Sequence, residues 1–217
     1  MRTKKAKIHP IYEKCLAELN DEKTFIYVDT TDVAKLIRAD LKKSFPGIKF
    51  SVRSDNNSVR ISYFDGPLYD EVDKVGQKYK GGGFDGMIDM AYSSTSWLNP
   101  DGTAGVAHNP GTIESRGSCP EYINNPTSAG AIEVQFGSKY IFIERRFSEK
   151  FYNDAIDKMW SECDWTEGHE KPEVAVYDYD KSAYCNVKSD KFVSTRQEYL
   201  STLIGREIRT MKGGSAC

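Results

Sequence analysis

The chain has 217 residues, 39% of them hydrophobic, enough to bury a sizeable core as one or two units. Its 30 Lys and Arg stand against 32 Asp and Glu, and the net charge of -2 excludes a strongly basic nucleic-acid binder and an acidic mimic, so any electrostatic role has to be local. Five scattered cysteines (Cys15, Cys119, Cys163, Cys185 and Cys217) argue against a disulfide framework; no apolar run is long enough for a membrane span, and Met1 to Pro10 lacks the apolar stretch of a secretory signal.

Residues 1–30 are expected to hold a basic start (Arg2, Lys4, Lys5, Lys7), a helix from Pro10 to Leu19 and a short strand at Thr24 to Val28. Asp29, Thr30 and Thr31 supply cap chemistry for a helix over Asp32 to Phe45. Val33, Leu36, Ile37, Leu41 and Phe45 fall on one side of it, and Lys35, Arg38, Lys42 and Lys43 largely on the other. Pro46 and Gly47 end it. Ile48 to Arg53 and Val59 to Phe64 alternate apolar and polar residues around the turn formers Ser54 to Asn57, which predicts a hairpin with Phe50, Val52, Val59, Ile61 and Tyr63 turned towards the helices. A second helix begins at Gly66 and Pro67, carries Leu68, Val72, Val75 and Tyr79, and stops at Gly81, where a left-handed cap is wanted. Residues 31–90 thus form an α-β-β-α unit.

Residues 91–130 are rich in Ser, Thr, Asn, Gly and Pro without periodicity, and predict either a mobile lid or short strands joined by long loops. Residues 131–217 are expected to form a second α+β unit, packed on the first as one compact body. Its elements are a second hairpin at 131–136 and 140–145 around Gly137, a helix from Ser148 to Cys163 with Phe151, Ala155, Ile156, Met159 and Trp160 on its apolar side, and a strand at Glu173 to Tyr179. Ser194 is expected to open a last helix with Tyr199, Leu200, Leu203, Ile204 and Ile208. The fold class is α+β with antiparallel sheet.

Chemistry is sparse in this pattern. Gly81, Gly83 and Gly86 satisfy G-x-G-x-x-G formally, but a dinucleotide cradle needs them between a strand and a helix N-terminus, and here they follow a helix. Gly81, Gly83, Asp85 and Gly86 are therefore read as a structural turn. His108, Cys119, Cys163, His169 and Cys185 contain no paired ligand spacing, so neither a metal nor any other cofactor is expected. His108 with Cys119 is the one pairing that fits a cysteine nucleophile, and a surface histidine beside a half-buried cysteine is the plainer reading. Asp85 and Asp89 with Asp178 and Asp180 offer hard oxygen ligands, and Ser115 to Ser118 offers an anion nest, but turn capping and a solvent loop explain them as well. The clearest local signal is basic. Lys35, Arg38, Lys42, Lys43, Lys49, Arg53 and Arg60 fall within one helix-hairpin stretch, with Arg53 and Arg60 close across the strands and Tyr63 and Phe64 nearby. Lys139, Arg145, Arg146 and Lys150 form a weaker cluster.

The segments VAKLIRADLKKSFPGIKFSVRS (33–54), SVRISYFDGP (58–67) and KVGQKYKGGGFDGMIDM (74–90) resemble the large polyvalent protein-associated domain family of phage and plasmid proteins, and SRGS (115–118) and VQFGSKYIFIERRFS (134–148) look like its continuation. The resemblance implies context rather than chemistry: proteins of mobile elements, expressed in or delivered to the host cytoplasm, that help the element against host defences. It carries over no catalytic residue. The expectation is a non-enzymatic, anti-restriction-like protein that binds and blocks a host defence protein, through the first unit and the long loops with Trp97, Tyr122 and Ile123 as contacts. A homodimer is an allowed arrangement. The alternative is an accessory protein that binds DNA or RNA through the Lys35 to Arg60 face.

Overall fold

A computed structural model describes residues 8–19, 26–86, 88–108, 128–179, 182–188, 190–193, 196 and 198–212. Helix α1 (Pro10–Glu18) opens on His9, whose Nδ1 accepts from the Ile11 amide, and on a proline at its first position. Strand β1 (Ile26–Val28) leads to α2 (Thr30–Ser44), capped by the Asp29 carboxylate on the Asp32 amide at 2.9 Å. The expected apolar stripe is the buried one, with Val33, Leu36, Ile37 and Leu41 wholly excluded from solvent. Gly47, at φ 89°, supplies the left-handed residue that follows the helix.

Strands β2 (Phe50–Asp55) and β3 (Ser58–Phe64) flank a two-residue Asn56–Asn57 turn. Then come α3 (Tyr69–Gly76), a 3-10 turn at Gln77–Tyr79, β4 (Gly82–Asp85), β5 (Met90–Ser93), β6 (Thr95–Leu98), β7 (Ala104–His108), β8 (Ile132–Phe136) and β9 (Tyr140–Arg146). One sheet has the order β1-β8-β6-β7, with β1 parallel to β8 and the other neighbours antiparallel; a second has the order β2-β3-β9, and β4 and β5 pair alone. The class is α+β. The sheets are mixed rather than purely antiparallel, and the expected second hairpin around Gly137 does not form, because β8 and β9 enter different sheets. Each residue between them bonds to a different remote segment. The Gly137 amide donates to Val28, the Ser138 carbonyl accepts from Gly81, the Ser138 hydroxyl donates to Tyr79, and the Lys139 amide donates to Asn57. Within the loop-rich stretch, short strands β5, β6 and β7 are present where a lid was the other expectation.

Contacts divide the chain into two units, Met1–Pro46 with Phe50–Ile61 and Glu71–Ile143, and Gly47–Lys49 with Ser62–Asp70 and Glu144–Cys217. The division falls within β3 and β9. In the first unit, Tyr79 is the buried tie: its hydroxyl donates to Asp40 on α2 at 3.0 Å and accepts from the Ala104 amide on β7. The second unit is built on α4 (Glu149–Glu162), capped by Ser148, with hairpin β10 (Val174–Tyr179) and β11 (Ser182–Val187), the short pair β12 (Phe192–Val193) and β13 (Glu198–Tyr199), and α5 (Leu200–Thr210). Tyr152, Ile156, Met159, Leu200, Ile204 and Ile208 are the centre of its core. Helix α5 begins later than Ser194. Its first turn is held from outside by Asp190, whose carboxylate takes the Ser201 amide and hydroxyl. The Asp65-Gly66-Pro67 step is structural too: Asp65, at φ 55°, accepts from the amide and hydroxyl of Ser148, and the Arg145 guanidinium donates to the carbonyls of Asp65, Gly66, Arg209 and Met211.

Candidate functional site

The β2-β3-β9 sheet has one covered and one open face. Val52, Val59 and Ile61 are buried, and a Cβ placed on Gly76 of α3 would touch Ile141, Ile61 and Ile143, so these side chains share the helix-facing side. Strand alternation therefore sends Arg53, Arg60, Tyr140 and Phe142 to the opposite side. There the Tyr140 and Phe142 rings stack, centroids 6.2 Å apart and planes 14° from parallel, with the Arg60 guanidinium carbon 5.8 Å from the Phe142 centroid. Both rings are about half exposed.

The seven expected nucleic-acid contacts do not make one surface. Lys35, Arg38, Lys42 and Lys43 ride on α2, a neighbour of β2, whereas Arg53 and Arg60 stand on the open face of the hairpin; Lys49 belongs to the second unit. Several of the helix cations are already engaged. Lys35 and Lys14 both bind Asp32, at 2.7 and 3.0 Å, and the Lys35 hydrogen bond holds that carboxyl below its usual range against the upward pull of its burial. Lys43 pairs with Asp101 at 2.8 Å. Burial lifts the Asp101 carboxyl, but hydrogen bonds from Lys43 and Thr103 outweigh it and bring it to about 2. Arg38 donates to the Val52 carbonyl at 2.7 Å.

The second feature is the β4–β5 hairpin, which holds the glycine string. Gly81 is not in the left-handed region, contrary to expectation; the helix ends instead in the 3-10 turn, with Lys80 extended. What demands glycine at 81 is close approach, since a Cβ would run into the backbone of Phe136. At Gly83 it would meet the Tyr92 ring, and at Gly86 nothing. The glycines lie on a strand and turn of a hairpin, not between a strand and a helix, so the structure provides no dinucleotide cradle there. Asp85 is paired through its backbone with Met90, and Asp89 occupies the turn at φ 53°.

Of the expected protein contacts, Trp97 lies on β6 opposite Glu133 and is half-buried rather than exposed; its indole nitrogen is buried without a partner among the described residues. Tyr122 and Ile123 lie outside the described residues, as do Cys119, Ser115 to Ser118 and Asp180. His108 ends β7, paired through its backbone with Thr95. Cys163 follows α4, and burial pushes the half-buried Cys185 thiol up, away from thiolate character. His169 accepts the Trp160 indole N–H through its carbonyl. Missed by sequence reasoning were Tyr140 and Phe142, whose signal was the alternation of exposed rings with Ile141 and Ile143 in YIFIERR.

The model of the family described as large polyvalent protein associated domain 29 matches residues 28–148, more than half of the chain. The chain belongs to this family. The match runs from the end of β1 to the cap of α4, and so contains both the open sheet face and the glycine-bearing hairpin. No curated protein and no solved structure matches the chain. The family is one associated with phage and plasmid proteins. Among the described residues no helix is long and apolar enough to cross a membrane.

Proposed function

We propose that this protein serves a phage or plasmid as a counter-defence protein, anti-restriction-like, which binds and blocks a host component without catalysis in the host cytoplasm, and that the β4–β5 hairpin is its contact arm. Family membership supports the setting, and one observation carries the contact. Phe84 is 62% exposed, Met90 55% and Ile88 36%, on a hairpin whose strands pair, among the described residues, only with each other. Phe84 pairs with Ala91, and Asp85 with Met90, so Phe84 and Met90 point to opposite faces and both faces carry a large apolar side chain in water. Covering one such side chain returns about 1.5–3 kcal/mol, and a lone two-stranded hairpin gains order when something packs on it.

The test is protection in a cell. Expression of the protein in a host with an active restriction system is expected to raise the plating efficiency of unmodified phage, and the Phe84→Ser, Met90→Ser variant is expected to fall to the empty-vector level with an unchanged melting temperature. Full protection by the variant overturns the contact assignment, and absence of protection by the wild type overturns the counter-defence role.

A further inference from the structure

We infer that the open face of the β2-β3-β9 sheet is a binding platform for single-stranded nucleic acid, formed by Arg53, Arg60, Tyr140 and Phe142. This is a second surface, independent of the hairpin contact, and it rests on three observations. The first is the ring pair. Tyr140 and Phe142 stack on each other in water, on a strand whose packing is already supplied by Ile141 and Ile143 on the other side. Two flat rings held by a sheet are what unpaired bases stack upon, whatever their sequence.

The second observation is the placement of charge. The two-residue turn sets Asp55 against Ser58 and therefore Arg53 across from Arg60. Like charges directly opposite each other repel, and among the described residues neither arginine enters an ion pair. The nearest carboxylate on this hairpin, Asp55, is turned to the Asn56 amide at 2.8 Å. An anion between the two guanidinium groups removes the repulsion. The third observation joins the other two: Arg60 lies over the Phe142 ring, so a base on the ring and a phosphate on the guanidinium belong to one short segment of strand. A duplex hides its base faces and gains only the charges.

Fluorescence anisotropy with labelled dT and rU oligonucleotides of roughly ten residues, and with a duplex of the same length, tests this. Single strands are expected to bind more tightly than duplex, and the dT and rU arms assign the strand to DNA or RNA. Phe142→Ala is expected to weaken binding about tenfold with the salt dependence retained. Arg53→Gln with Arg60→Gln is expected to lower the log-log salt slope by about 1.4, at about 0.7 per lost contact on a single strand. Lys42→Ala on α2 and the Phe84→Ser, Met90→Ser variant are expected to bind as the wild type does, which separates this surface from the proposed hairpin contact. Circular dichroism melts confirm that each variant folds. Equal affinity for duplex, a Phe142→Ala variant that binds normally, or a wild type that binds no oligonucleotide at low salt overturns the inference.

Discussion

In β3 every second residue leaves solvent: Val59, Ile61 and Tyr63 are buried, and Arg60 and Phe64 are not; its neighbour β2 buries Val52 and leaves Arg53 exposed. In the β4–β5 hairpin no such sorting occurs. Phe84 and Met90 point to opposite faces and both are in water, while Gly81 and Gly82 are fixed by the backbone a Cβ would strike and Gly86 meets nothing. The first hairpin is therefore explained by the core on one face, and only its outer face is left over for function. In the second, the fold accounts for Gly81 and Gly82, whose Cβ atoms would strike backbone, but not for the exposed apolar side chains Phe84 and Met90.

The largest effect that sharpens this contrast is a buried charge. Ile61 has no exposed surface, so Ile61→Asp places an unpaired carboxylate in the core at a cost of several kcal/mol, out of a total stability of about 5 to 15. Urea titration is expected to show the first unit unfolded or severely weakened. The same change at Phe84 is expected to change the unfolding free energy by about 0.5 kcal/mol or less. Equal losses at the two positions would mean that the hairpin arm is packed after all.

How much of this was legible follows from where the determinants lie. Helix α2, the β2–β3 hairpin and α4 carry their reasons within themselves, in apolar spacing and in the caps Asp29 and Ser148, and all three are present, β2 two residues later than its expected Ile48 to Arg53 and with a turn of two residues rather than four. The segment Gly137 to Lys139 reads locally as a hairpin turn, yet its bonds run to Val28, Tyr79, Gly81 and Asn57, partners that no local pattern names. That one misreading also concealed the platform. Arg53 and Arg60 are legible as a pair, but the alternation of 131–145 reads as a separate hairpin that holds Tyr140 and Phe142, and the β3–β9 neighbourhood is what brings ring and guanidinium together. Likewise the first turn of α5 is held by Asp190, eleven residues before Ser201, which cap spacing does not reveal.

A middle-sized effect separates the glycines. Gly81→Ala forces a methyl group into the Phe136 backbone, which has no side-chain freedom to yield, and is expected to cost about 3 kcal/mol, the upper end of overpacking. Gly86 has nothing near its Cβ position and no left-handed backbone, so Gly86→Ala is expected to be neutral or to stabilise by about 0.4–1 kcal/mol through the unfolded chain. Thermal or urea melts of the two variants decide it. A destabilised Gly86→Ala would show that the turn needs glycine for its own sake.

The smallest effect is the most telling for the platform. If Arg53 and Arg60 are kept opposite each other for a ligand, the free protein carries their repulsion as a stability deficit, and removing one charge should relieve it. Arg53→Thr exchanges the charge for a residue well suited to a strand and is expected to stabilise the protein by about 0.2–1 kcal/mol at low ionic strength. Salt separates the two contributions. At 1 M the Debye length is about 3 Å, the repulsion between the exposed arginines is screened, and the gain should shrink to the strand-propensity part alone. Arg60→Thr should give a similar gain, less any lost contact with the Phe142 ring, and the double variant should fall short of the sum, because the repulsion can be removed only once. A loss of more than about 0.5 kcal/mol in Arg53→Thr would instead mark the arginine as a structural residue.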